Sequence, residues 1–379
     1  MFGIPISVDA SWLIILALVT WSLAVQVFPQ EPALAGLSRS TFWLMGLVTA
    51  LAYFICILLH ELGHSVVGRA LGMPVRGITL FLFGGVSELG AEPASAGSEF
   101  LMAVAGPLVS AVLAIIFWIV QAVASQSGWW PPLVVVLYWL AWINTVVLLF
   151  NLVPAFPLDG GRVLRSILWG LQGNLRRATR WACYLGQGFA WLMIAAAVMF
   201  VFVAGDLVGG IWLGLIGLFL NNAAKSSYQQ VIVRQALQGE PVRRFMNREP
   251  IVVPSALDLR HWVEDYVYRY HRKTFPVAAD GHLEGFITTQ DLAVYPRDEW
   301  DRHTVGEVMR RDFAGVTIRP DADALQALGQ MQRTGFSRLL VTEGEHLVGI
   351  VSLKDLLRFL HLKIELEQGN EDTPAVPRP

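Results

Sequence analysis

The residues best suited to chemistry are His60-Glu61-Leu62-Gly63-His64. On a helix, positions i and i+4 share a face, so both imidazoles can reach one metal ion while Glu61 stands beside them. Zinc with an open coordination position lowers the pKa of its water to about 7, and a nearby carboxylate can take the proton. Short motifs recur by chance, but location strengthens this one. His60 and His64 are the only histidines in residues 1–240, and the stretch Ala52 to Leu59 before them carries no charge. Ionisable groups at membrane depth are costly and usually functional. The plain alternative is a hydrated, inert cluster at a helix end.

A catalytic zinc takes three protein ligands. Asp9, Glu31 and Asp206 fall near other helix ends, and Glu88, Glu92 and Glu99 fall in a polar loop. Asp159 is different, because it lies in Asn151-Leu-Val-Pro154-Ala-Phe-Pro157-Leu-Asp159-Gly160-Gly161-Arg162. Pro154 and Pro157 forbid a regular helix there, and the glycines allow a tight turn. Asp159 is the candidate third ligand; a turn-forming Asp-Gly is the competing reading.

The elements that must position these groups follow from composition. The chain has 379 residues, 54% hydrophobic and 15% charged, with a mean hydropathy of +0.51. Soluble domains carry about a quarter charged residues, so an ordinary soluble enzyme is excluded. Residues 1–240 hold 10 Lys/Arg and 9 Asp/Glu, whereas residues 241–379 hold 18 and 21. The first part reads as membrane and the second as a soluble module. A net charge of -2 offers no basic surface, which argues against nucleic acid as a partner.

Apolar runs at 11–28, 42–60, 100–124, 133–153, 182–204 and 207–223 predict six spans. One set of loops carries Arg69, Arg76, Arg162, Arg165, Arg176, Arg177 and Arg180, continuing to Lys225 and Arg234; the other carries Arg39. The positive-inside rule then places both termini and the soluble module in the cytoplasm. No cleavable signal peptide is expected from the uncharged start. Cys56 and Cys183 read as small buried hydrophobes, and the tryptophans flanking apolar runs as interfacial anchors.

Between the second and third spans, Arg76 to Glu88 is rich in β-branched and aromatic residues, broken by Gly84-Gly85. It predicts a hairpin or edge strands at membrane depth, facing protein or water. The soluble part repeats itself: Gly285-Phe-Ile-Thr288-Thr-Gln-Asp291-Leu recurs as Gly349-Ile-Val-Ser352-Leu-Lys-Asp355-Leu, an offset of 64 residues. Each copy reads as an extended stretch, a helix, two short strands and a second helix. The histidines of this part, His261, His271, His282, His303, His346 and His361, show no pair at metal-ligand spacing and read as surface residues.

His60-Glu-Leu-Gly-His64 in an early apolar helix, with Asn151-x-x-Pro-x-x-Pro-Leu-Asp-Gly-Gly after a later one, resembles the site-2 protease family of intramembrane zinc metalloproteases. The likeness extends to Phe2-Gly-Ile-Pro-Ile-Ser-Val and to Phe83-Gly84-Gly85. It implies that His60, His64 and Asp159 bind one zinc ion, that Glu61 activates water, and that Asn151 helps hold the substrate or its oxyanion. Gly84 and Gly85 would lie in a strand to which an unwound transmembrane substrate adds.

The repeat resembles a pair of CBS domains. That implies an adenine nucleotide (ATP, ADP or AMP), with Thr288 and Ser352 near phosphate and Asp291 and Asp355 on ribose hydroxyls. Helix capping by the two aspartates is the competing reading. The pair is also a candidate surface for homodimerisation.

The expected architecture is a polytopic α-helical membrane domain over 1–225, with about six transmembrane helices and a small membrane-associated β element. A linker follows at 226–241, then a cytosolic α/β CBS pair over 242–362 (copies 242–300 and 301–362) and a disordered tail at 363–379. The expected function is cleavage of transmembrane segments within the lipid bilayer of a prokaryotic cell, modulated by nucleotide. The alternative is a CBS-regulated channel or transporter with a structural or permeation metal site. Glu61 separates the two, since hydrolysis requires it and a closed structural site does not.

Overall fold

The computed structural model describes residues 3–82, 84–89 and 92–371. Phe2 and Phe83 of the motifs above lie outside the described residues. The chain divides into two compact units, Met1–Val231 and Ile232–Pro379.

Among the described residues, six helices are long and apolar enough to cross a membrane, Ser11–Gln30, Arg39–Ala70, Ala96–Gln126, Pro131–Asn151, Leu175–Phe202 and Leu207–Leu237, one for each predicted run; the last runs across the boundary between the units. Helix α1 (Ser11–Ser22) is continued to Gln30 by a wider turn and a 3-10 turn; α2 is Arg39–Ala70, α3 Ala96–Gln126 and α4 Pro131–Asn151. Large apolar residues such as Leu13, Ile115, Leu149 and Phe202 point outward. That arrangement is favourable only where lipid replaces water, and helices satisfy every backbone group internally there. Helix α3 packs on both α2 and α4.

One helix was not anticipated. Helix α5 (Asp159–Gln172) lies between the fourth span and α6 (Leu175–Phe202), and it packs on α3 and α6. The sequence shows only a proline-glycine break there, and α5 is too short and too polar to register as a span. The last span, α7 (Leu207–Leu237), runs on through residues 226–237 of the stretch expected as a linker, so most of that stretch is helical, and the boundary between the two units, Val231/Ile232, falls within it. Glu99, expected in a polar loop, sits in the first turn of α3.

The predicted hairpin is present. Strand β1 (Ile6–Val8) pairs in parallel with β2 (Val75–Phe81), which pairs antiparallel with β3 (Gly84–Leu89), giving the order β1-β2-β3. The register sets Ile6 opposite Ile78 and Val86 opposite Thr79. Ile78 and Ile4 bury against Leu62 of α2, which ties the sheet to the helix carrying the histidines.

In the second unit, α8 (Leu259–His261) continues through a wider turn into α9 (Tyr268–Tyr270), ahead of β4 (Thr274–Ala279) and β5 (His282–Thr288). Then come α10 (Val305–Val308), β6 (Thr317–Ile318), α11 (Ala324–Thr334), β7 (Arg338–Glu343), β8 (His346–Ser352) and α12 (Leu353–Glu371). The strands form one sheet, ordered β4-β5-β8-β7-β6. The repeat is visible in its registers: Thr274 faces Thr288 as Arg338 faces Ser352, with irregularities after Val277 and Val341 alike. Each copy has its own core, around Trp262, Phe275 and Ile287 in the first and Leu339, Val341 and Val351 in the second.

Two expectations fail here. The second helix of the first copy is only a 3-10 turn, Asp291–Val294, followed by Tyr295 and Pro296, and a proline at that point cannot continue a helix. The tail expected to be disordered from 363 is helical to Glu371, and its remainder lies outside the described residues.

Candidate metal centre

His60 and His64 project from the same face of α2, one turn apart, and both are buried. Asp159 opens α5 and is 9% exposed. Its carboxylate spans the two rings: Oδ2 lies 3.1 Å from His60 Nε2, and Oδ1 lies 3.2 Å from His64 Nε2. The two Nε2 atoms are 3.3 Å apart. Three potential ligand atoms therefore fall within 4.8 Å of one another, across 99 residues of chain.

The far side of each ring decides what this triangle needs. His64 Nδ1–H donates to the Met102 carbonyl at 2.7 Å, and His60 Nδ1 bonds the Ser110 hydroxyl at 2.9 Å. A proton fixed on Nδ1 leaves Nε2 of a neutral ring as a bare lone pair. His64 Nε2, its lone pair free, therefore faces a carboxylate and the Nε2 of His60, an inward-turned set that a cation lying among them would satisfy. The donor set is that of a catalytic zinc with a further position open, and outer hydrogen bonds of this kind orient metal-binding imidazoles. The residues fit the ion.

Both outer partners come from α3, the predicted third span, whose contribution to the site was not anticipated. A Cβ on Gly106 would stand 2.7 Å from His60 Nε2 and closer still to His64 Nε2, so only glycine leaves room for the imidazoles. Pro107 follows inside the helix and removes one backbone hydrogen bond there. A Gly-Pro pair inside an apolar run was the available signal.

Glu61 stands within electrostatic reach of both histidines and Asp159. The Ser87 hydroxyl, on β3, lies 3.0 Å from Glu61 Oε2 and 3.1 Å from the Glu61 carbonyl. Ser65 Oγ lies 3.0 Å from Ser87 Oγ. The hairpin presses directly on Glu61, for a Cβ on Gly85 would fall 2.5 Å from its Cγ. Gly85 thus lies against Glu61, with Gly84 preceding it at the start of β3.

The segment delivering Asp159 is tightly folded. Helix α4 ends at Asn151, Ala155 N–H donates to the Val153 carbonyl at 2.7 Å, and Phe156 N–H donates to the Ala182 carbonyl at 3.3 Å. The Phe156–Pro157 peptide is cis. Gly160 and Gly161 lie against the backbone of Leu152 and Phe156, where no side chain fits. Asn151 is half-buried at the end of α4.

In the second unit, Thr288 donates through both N–H and Oγ1 to Asp291 Oδ2, at 2.8 and 2.7 Å. Ser352 does the same to Asp355 Oδ2, and Asp355 N–H lies 3.3 Å from Ser352 Oγ. The second pair is a capping box at the start of α12. The capping reading is therefore reversed in detail: Ser352, not Asp355, is the cap. Asp291 carries a further partner, since Arg310 grips its Oδ1 with Nε at 2.7 Å and Nη2 at 2.6 Å.

Two sequence families match the chain. Peptidase family M50 matches residues 48–129 and 119–195, and the CBS domain matches residues 242–298 and 305–362. A Synechocystis sp. protein described as a zinc metalloprotease is 35% identical over 95% of this chain and 94% of its own length. A zinc metalloprotease of Methanocaldococcus jannaschii is 30% identical, covering 97% of both chains. The solved site-2 protease of that organism aligns at 29% identity over 60% of this chain and 91% of its own, with a TM-score of 0.42. With its long apolar helices and its His-His-Asp cluster, the chain belongs to Peptidase family M50, the site-2 proteases, and is an integral-membrane metalloendopeptidase with a CBS domain pair.

Proposed function

We propose that the chain hydrolyses peptide bonds inside transmembrane segments of other membrane proteins, with His60, His64 and Asp159 holding zinc and Glu61 moving the proton. The observation that carries this is the inward convergence of two Nε2 atoms and a carboxylate, with both Nδ1 atoms already engaged. When bound, zinc supplies Lewis acidity to the scissile carbonyl and acidifies the attacking water. Glu61 takes the proton from that water and returns it to the leaving nitrogen. Ser87 holds Oε2, which leaves Oε1 of Glu61 for the transfer. Asn151 meets the substrate or its oxyanion.

A peptide bond in a helix is hydrogen-bonded and shielded, so the substrate must unwind. Strand β3 is the edge of its sheet among the described residues, with β2 on one side only. An unwound segment adding to that edge beside Gly84 and Gly85 exchanges helical hydrogen bonds for sheet ones, next to Glu61. The alternative of a channel or transporter gains nothing from a hydrogen-bonded glutamate in this position.

The CBS pair regulates by binding an adenine nucleotide through its second copy. Asp291 is occupied by Arg310, whereas the corresponding bridge in the second copy is made by Asn247, opposite Ile350. Arg338 faces Ser352 where Thr274 faces Thr288. Burial and the neighbouring Arg272 hold the Arg338 guanidinium below its ordinary value, while Asp355 opposes them. A guanidinium beside a ribose-type aspartate, with a second guanidinium next to the first, favours a phosphate. The loop charges other than Arg165, which is buried, still support a cytoplasmic location for this pair and for both termini.

The decisive experiment is Glu61→Gln. Zinc content measured on the purified protein stays at one ion in the membrane site, while cleavage of a model transmembrane peptide is lost. Undiminished cleavage by this variant would refute the assignment.

A further inference from the structure

His282 and His346 show no ligand spacing in the sequence, yet the fold sets them side by side. They are equivalent positions of the two repeats, 64 residues apart. Their register pair joins β5 to β8. It is flanked by the Leu283 N–H bond to the Glu345 carbonyl at 3.0 Å and the Leu347 N–H bond to the Gly281 carbonyl at 2.9 Å. Directly opposed residues of an antiparallel pair project from one face with Cβ atoms about 5 Å apart. The rings are 6.2 Å apart and nearly perpendicular, at 84°.

Carboxylates complete the set. Glu345 Oε2 lies 3.7 Å from His282 Nε2. Glu343 is the register partner of His346 on the other side, in β7, so Glu343, His346 and His282 stand in one row across three strands. The His282 side chain is 51% exposed and that of Glu345 83%, so both are free to turn. The rings of His60 and His64, in the membrane centre, are 5.0 Å apart. Bringing 6.2 Å to that value takes only side-chain rotation at the surface.

We propose that His282, His346 and Glu345, with Glu343 as the further carboxylate, form a second divalent transition-metal site at the seam between the CBS repeats. Two imidazoles with carboxylate oxygen suit zinc and its neighbours rather than magnesium or calcium. An ion there clamps two hairpins that are joined, among the described residues, by a single ladder pair and by packing of Leu283 and Phe286 with Leu340 and Ile350. Strands β5 and β8 run from this seam to Thr288 and Ser352, about 20 Å along each strand. A metal at one end and a nucleotide at the other would thus load the same two strands without competing for ligands.

The test is zinc titration of the full-length protein in detergent against a chelating dye. The wild type binds two ions per chain, and His282→Ala/His346→Ala binds one while retaining peptide cleavage. His60→Ala/His64→Ala also binds one, and the four substitutions together abolish binding. Glu345→Gln weakens the seam site by roughly tenfold or more and leaves the other unchanged. His271→Ala and His303→Ala serve as surface controls and keep both ions. A wild type that takes up one ion only overturns the proposal. So does a second ion that survives the seam double substitution or disappears with a control.

Discussion

Arg165 on α5 forms a buried ion pair with Glu99 on α3, two helical turns from Asp159 on the same helix as the arginine. Glu99 is fully buried and Arg165 is 4% exposed. The guanidinium also lies 5.1 Å from the Phe156 ring centroid, in the loop that delivers Asp159. Helix α3 holds the outer nitrogens of both histidines, and α5 holds the carboxylate. The pair therefore clasps the two halves of the metal centre together.

Breaking such a pair from one side leaves an uncompensated buried charge, worth about 3–5 kcal/mol. Arg165→Met is expected to lower the thermal unfolding temperature and to weaken zinc retention in chelator competition. Replacing both partners, Glu99→Leu with Arg165→Met, removes the stranded charge and restores much of the stability. If zinc affinity in Arg165→Met equals that of wild type, the clasp has no part in positioning Asp159.

Gly106 gives a sharper test of the centre itself. A methyl group there meets both imidazole Nε2 atoms, while the backbone of Gly106 is already helical within α3. Gly106→Ala should retain the helical circular dichroism of the wild type and lose bound zinc, measured by elemental analysis. Zinc at the wild-type level in a folded Gly106→Ala protein would mean that the ligands do not occupy the positions described.

How much of this was legible before the fold was known depends on the range of each interaction. The six spans and the His60/His64 face follow from local periodicity and composition, and both were readable. Asp159 was reached by residue type and by the prolines that break the helix, because little else at that depth could serve. What the sequence hid was the part that α3 plays in the site: Met102 contributes through a backbone carbonyl, which any residue possesses, and Ser110 through a hydroxyl among several. Gly106 is one of 34 glycines. Its importance comes from two rings 42 and 46 positions earlier. Helix α5 was hidden because its polar and apolar faces average out, and the His282/His346 seam because strand register brings together residues that no local spacing relates.

Strand addition by the substrate is separable from metal binding. Val86 lies in the middle of β3, opposite Thr79, and 47% of it is exposed. Proline there removes a backbone donor and disfavours strand geometry, yet it touches none of His60, His64 or Asp159. Val86→Pro is expected to cut turnover of a transmembrane peptide substantially more than zinc content. Equal losses of both would show that the hairpin supports only the fold.

The unequal CBS copies make a prediction about stoichiometry. Both oxygens of Asp291 are engaged, Oδ2 by Thr288 and Oδ1 by Nε and Nη2 of Arg310, so a ribose would have to displace charge-assisted hydrogen bonds, among the stronger contacts available. Among the described residues Asp355 has no arginine on its Oδ1; its Oδ2 is bonded within the capping box, and Arg338 stands near it. Equilibrium dialysis of the full-length protein with AMP or ATP should find one nucleotide per chain. Asp355→Ala should lose it and Asp291→Ala should keep it. Arg310→Ala frees Asp291 and should raise the count toward two. Two nucleotides in the wild type, or loss of binding in Asp291→Ala, would show that Arg310 does not close the first copy; no binding in either wild type or Arg310→Ala would remove nucleotide from the regulation altogether.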